Sequence, residues 1–62
     1  MVRTESFSHE AEDWIYEAKE EVMDRLNSFI EENDIQRQDI LEFRTEENYI
    51  HKRFKVVISW WE

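Results

Sequence analysis

SHEAEDWIYEAKEEVMDRLNSFIEEN, running from Ser8 to Asn33, is the stretch whose reading decides the fold. Wound at about 100° per residue, its Ala11, Trp14, Ile15, Ala18, Val22, Leu26 and Phe29 fall in a single arc, which predicts one long amphipathic helix. Tyr16, Met23 and Ile30 form a second apolar row beside the first. Together the two rows sweep roughly 200° of the circumference, about twice the stripe a helix needs against one surface. Ser8 is the expected N-cap, with Ser6 as its rival, and Glu10, Glu12 and Asp13 follow near the positive end of the helix dipole. Glu31, Glu32 and Asp34 crowd the negative end, and with no glycine in the chain Asn33 is the expected left-handed residue that stops the helix.

Outward from the helix, the flanks read as strands. Met1–Phe7 suits a short edge strand leading into the helix. Ile35–Asp39 is a polar connector. From Ile40 to Thr45 the residues alternate, with Leu41, Phe43 and Thr45 on the side expected to be buried and Ile40, Glu42 and Arg44 on the other. Glu46-Glu47-Asn48 reads as a hairpin loop with Asn48 at a positive-φ position. Tyr49–Trp61 is β-branched and aromatic and should be the central strand. Ile50, Phe54, Val56, Ile58 and Trp60 share its core face, Lys52 being the exception, while Tyr49, His51, Arg53, Lys55, Val57, Ser59 and Trp61 share the opposite one. A right-handed crossover through the helix then places the first two strands parallel, with the third between them and antiparallel to both. The expectation is a single α+β domain over residues 1–62: β-α-β-β, one long amphipathic helix packed on a three-stranded sheet of order 1-3-2.

Composition narrows the function classes. Sixty-two residues bury only about 60% of the surface their unfolded form exposes, so small domains commonly add a disulfide, a metal or a second subunit. No cysteine is present, which removes disulfides and thiolate metal sites and leaves oligomerisation. Nothing approaches the ~18 apolar residues of a membrane span, and no apolar run follows a basic N-terminus, so the expected setting is cytoplasmic. Nine aromatics argue for a folded domain despite 39% charged residues. A net charge of −8 disfavours direct contact with nucleic acid or an anionic membrane, because phosphate contact needs a cationic face. It leaves open a basic protein partner, beside the simpler reading of a charge that serves solubility.

Candidate chemistry is sparse. Glu17, Glu20, Glu21 and Asp24 share a helix face, where paired carboxylates would do acid–base or divalent-metal work only if burial separated their pKa values. The plainer reading is a solvated face with Lys19 and Arg25 as sparse compensation. His9 and Asp13 stand four apart and could share a metal, but two ligands on one turn make a weak site. His51 lies among Lys52, Arg53 and Lys55, where it would be an anion-contacting patch or a cross-strand partner of Glu42 or Glu46. No Ser/His/Asp order and no glycine-rich phosphate loop occurs, so no catalytic, metal or cofactor residue is assigned and no enzyme is expected.

The surface carries more information. Adjacent Trp60 and Trp61 must point to opposite sheet faces, Trp60 inward and Trp61 outward, where tryptophan is a frequent interface anchor. A single helix leaves the other sheet face bare, and that face is expected to carry Tyr49, Val57, Trp61 and Ile40. With the second helix row, this predicts a homodimer or higher oligomer whose interface draws on Tyr16, Met23, Ile30, Tyr49, Val57 and Trp61. His9–Glu32 holds nine acidic and two basic residues, whereas Gln36–Lys55 is close to neutral, which allows electrostatic complementarity between subunits.

A short start containing Val2, a long acidic helix ending in Phe29-Ile30, a strand with Asp39-Ile40 and Phe43, and an apolar last strand resemble the layout of the small sporulation-protein family of spore-forming bacteria and their phages. That resemblance covers nearly the whole chain as a pattern of element lengths and apolar positions. It implies a tiny cytoplasmic non-enzyme, and for a phage relative a factor that binds and inhibits a host defence protein. In element order, length and acidity the chain is also similar to the dodecins, which implies, as the alternative, a flavin-binding storage oligomer. It differs from them in carrying its strand tryptophans on the last strand rather than the second.

Overall fold

A computed structural model describes all of residues 1–62. The elements are β1 (Val2–Glu10), α1 (Ile15–Glu32), a short 3₁₀ turn (Arg37–Asp39), β2 (Ile40–Asn48) and β3 (Arg53–Trp61). The three strands form one sheet of order β1-β3-β2, and β3 is antiparallel to both neighbours. The fold is therefore α+β in the order β-α-β-β, with the most apolar strand in the middle. The body is elongated, 38 × 17 × 13 Å, because each strand has nine residues and one helix lies along them.

The helix starts later than its periodicity suggests. Ser8, His9 and Glu10 belong to β1, opposite Lys55, Phe54 and Arg53 of β3. The ladder wins this segment because β3 offers partners along its whole length. The Ala11 N–H continues the pairing to Lys52 O at 2.8 Å, and Arg53 clasps Glu10 at 2.8 Å. Phe7, His9 and Ala11 are the less exposed residues of an alternating run, a period of two that the helical reading concealed. Ser8 is consequently no N-cap. Trp14 takes that place with φ −146° and ψ 127°, makes no side-chain capping bond, and is exposed rather than part of the buried helix stripe.

At its far end the helix closes with a Schellman arrangement built without glycine. The Ile35 N–H donates to Ile30 O at 3.0 Å and the Asp34 N–H to Glu31 O at 3.2 Å. The left-handed residue is Asp34, φ 50°, not Asn33, whose φ is −100°. Asn33 instead turns its Nδ2 back to donate to Phe29 O at 2.9 Å, a second bond to a carbonyl that also accepts the Asn33 N–H at 3.0 Å.

The hairpin also shifts. β2 continues to Asn48, so the loop is 49–52, and Lys52 (φ 53°) rather than Asn48 is its left-handed residue. Asn48 Oδ1 accepts from the His51 N–H at 3.1 Å and shapes the turn from its side chain. Ile50 therefore stands at the loop tip, 88% exposed, and not on the core face of β3.

The core lies between α1 and the inner faces of β1 and β3. Ala18, Val22 and Leu26 of the helix meet Phe54, Val56, Ile58 and Trp60, with Ala11 and Ile35 closing the ends. Phe29 sits edge-on between Phe7 and Trp60, with centroids 5.3 and 5.4 Å away. Each fully buried aliphatic here contributes about 1.5–3 kcal/mol, a large share of the small net stability that a domain of this size retains.

Candidate functional site

A helix is about 10 Å across with its side chains, whereas three strands span about 14 Å with theirs. One helix cannot cover this sheet. It lies over β1 and β3 and makes little contact with β2. The inner face of β2 therefore stays open beside one flank of the helix, and that flank is the second apolar row, Tyr16, Met23 and Ile30. Met23 and Ile30 are half-buried against the core, and Tyr16 is exposed.

On the strand side of this flank, β2 does not carry a buried face. Its ladder is irregular between Ile40 and Glu42, the signature of a β-bulge at Leu41. Ile40 turns inward against the core instead of onto the bare outer face, while Leu41 (57%) and Phe43 (51%) stand in solvent. Phe43 lies opposite Ile58, a core residue of β3, so it shares the inner face but finds no helix above it. Thr45, expected to be buried, is exposed for the same reason.

One end of the flank is fastened by charge. Lys19 Nζ lies 3.2 Å from Glu47 of β2, 5.5 Å from the Phe54 ring centre and 5.8 Å from that of Tyr16. The Tyr49 hydroxyl donates to the Glu47 carboxylate. That hydrogen bond, and then Lys19, hold Glu47 below the ordinary carboxylate value of 4.5, while Glu47 pushes the Tyr49 phenol above 10.0. The Trp14 and Tyr16 rings lie 5.9 Å apart at the same end. Aromatic and ionic groups of helix, strand and loop thus converge around Lys19 and Glu47. In the sequence, Lys19 reads only as an intrahelical partner.

The six residues expected at an interface fall into separate places. Tyr16, Met23 and Ile30 form the helix flank, and Tyr49 joins them through Glu47 at the hairpin end. Trp61 lies on the opposite sheet face, exposed beside Val2. Val57 is on that face too, yet it is only 8% exposed between Ser6 and Arg44 of the neighbouring strands and offers almost no surface. Sequence reasoning missed Leu41 and Phe43. The mismatch of three strands to one helix was the available signal.

The remaining candidates are scattered. Glu17, Glu20, Glu21 and Asp24 are exposed on the helix, with Glu21 engaged by Arg25 at 3.1 Å. His9 is on β1 and Asp13 in the bend before α1, so the helical spacing that would have paired them does not exist. His51 is in the hairpin loop, not across from Glu42 or Glu46; the carboxylate it influences is Glu10, held low chiefly by its bond to Arg53. No group of three or more histidines and carboxylates has a spacing suited to a metal ion, and every buried side chain is apolar. The hollows in the surface are modest. One of about 330 Å³ at the C-terminal end of α1 is edged by Asn33, Asp34, Asp39 and Trp61, with no buried, unpartnered side-chain polar atom to orient a ligand. No helix is long and apolar enough to cross a membrane.

Compared with models of protein families, with curated proteins and with solved structures, the chain matches none.

Proposed function

We propose that this protein is a non-catalytic acidic interaction module, active in the cytoplasm as a homo-oligomer, that binds a basic surface of another protein in the manner of a phage or mobile-element factor inhibiting a host defence protein. The observation that carries this reading is the open flank of α1. Tyr16 and Met23 offer apolar surface there, and Glu20 and Glu31 lie on the next row of the helix, so a partner presenting apolar side chains among lysines or arginines fits it. A binding role is favoured over catalysis because no ionisable side chain is buried, and a solvated carboxylate or imidazole lacks the environment that tunes it for acid–base work.

The test is capture from an extract of the native host on immobilised protein. A basic protein should be retained, released by raised salt, and no longer retained by Tyr16→Ala or Met23→Asp variants whose circular dichroism is unchanged. Equal retention by the wild type and both variants would remove the flank from the interface.

A further inference from the structure

We infer that a second copy of this chain pairs along the free edge of β2, antiparallel about a two-fold axis at Phe43, joining two three-stranded sheets into one of six strands. The inference deepens the proposed function and rests on its reading of a homo-oligomer.

β2 is the edge the fold leaves undefended. Its nine residues contain no proline and no lysine, and its one irregularity lies at the Ile40–Glu42 end. The other edge, β1, lies under the helix.

The pairing register follows from charge. Across an antiparallel pair, residues directly opposite point to the same face, so a two-fold axis perpendicular to the sheet must pass through a residue. Centred on Phe43, Glu42 faces Arg44 of the second copy and Arg44 faces its Glu42, while the two Phe43 rings meet on the inner face and Leu41 meets Thr45. Centred on Arg44, the two arginines oppose each other and Glu42 faces Glu46 twice. Centred on Thr45, Arg44 finds Glu46, but Phe43 faces Glu47. Only the first register matches both faces at once. Glu42 and Arg44 are already neighbours within one chain, 3.5 Å apart and more than half exposed, so both are available to a second strand.

The same geometry spares the acidic helices. The axis puts both on one side of the joined sheet, with helix axes about four strand spacings or roughly 19 Å apart, and turns the apolar row of Tyr16, Met23 and Ile30 toward the seam rather than the carboxylates. Direct contact through the helices would bring like charges together instead.

Sedimentation equilibrium across a dilution series tests the pairing. The wild type should show twice the chain mass of 7.8 kDa. Glu42→Arg alone and Arg44→Glu alone should each weaken the dimer roughly tenfold or more, since attraction at both sites becomes repulsion. Mixing the two variants should restore a one-to-one dimer, which also establishes that both are folded. A Phe43→Cys variant, carrying the only cysteine, should form a disulfide dimer on oxidation, and Thr45→Cys should not, because its two copies lie too far apart in this register. A wild type of single-chain mass overturns both this pairing and the oligomeric reading. A dimer unaffected by either charge variant overturns the pairing alone.

Discussion

Replacing Asp34 with glycine should stabilise this protein, and replacing its neighbour Asn33 should do the reverse. Asp34 holds φ 50° at the helix end. A left-handed backbone costs a residue with a Cβ roughly 1–2 kcal/mol, aspartate lying near the lower bound because its short polar side chain is tolerated there. Its carboxylate also sits at the negative pole of α1, a further cost of about 0.3–1 kcal/mol. Against these stand an exposed hydrogen bond from Gln36 Nε2 at 2.9 Å, worth about 0.5 kcal/mol, and the greater unfolded-state freedom of glycine, about 0.5–1 kcal/mol. The balance for Asp34→Gly runs from about zero to a gain of about 1 kcal/mol, centred near 0.5, which is roughly 2–4 °C in Tm for so small a domain. Asn33, at φ −100°, has no strain to release. Asn33→Gly loses the bond to Phe29 O and adds chain freedom, a loss of about 1–2 kcal/mol. Urea midpoints followed by tryptophan fluorescence at one protein concentration, with unchanged m-values, measure both. If Asn33→Gly proved the more stable of the two, the assignment of the left-handed position, and the helix ending built on it, would be wrong.

Leu26→Ala removes a fully packed side chain between helix and sheet and should cost about 2–5 kcal/mol; against a total of roughly 3–9 kcal/mol for a chain this size, thermal melts should show it largely or partly unfolded. Glu10 and Glu47 are held below 4.5 in the folded chain, so the stability they add is present above that value and is lost as pH falls through their folded values; in Glu10→Gln/Glu47→Gln the acid limb of Tm against pH should be shallower. The Tyr49 phenol is raised above 10.0, so its contribution is present below that value and disappears as pH rises through the folded one. Tyr49→Phe should remove that alkaline loss and let Glu47 titrate closer to 4.5, readable by carboxyl NMR.

How much of this was legible in the sequence depended on whether a pattern had one physical reading or two. Val22, Leu26, Phe54, Val56, Ile58 and Trp60 have only one, and the strand order followed from crossover handedness and from the apolar last strand. The segment Phe7–Ala11 satisfies a period of two and a period of 3.6 equally well, and only the length of β3 decides between them. Turn positions were harder still. With no glycine to mark a left-handed residue, asparagine is the natural choice, yet Asn33 and Asn48 both act through their side chains while Asp34 and Lys52 take the strained backbone. Phe43 was misplaced because alternation reveals which residues share a face but not whether anything covers that face.

The start of the helix shows how the remaining fastening is shared out. Trp14 supplies no capping oxygen, and Glu17 is the only acidic residue in the first turn. What holds this end comes from the hairpin: Lys52 O accepts from the Ala11 N–H, Lys52 Nζ donates to Glu12 O at 2.9 Å, and Lys19 reaches Glu47. The two lysine contacts are solvent-exposed and individually weak, so this end has less to hold it than the packed Phe7–Phe29–Trp60 end. The same end displays Trp14, Tyr16, Tyr49 and Ile50, all well exposed. A partner bound there, as proposed, would add contacts where an uncapped helix has fewest, and would leave the middle of β2, around Phe43, free for the proposed pairing with a second copy.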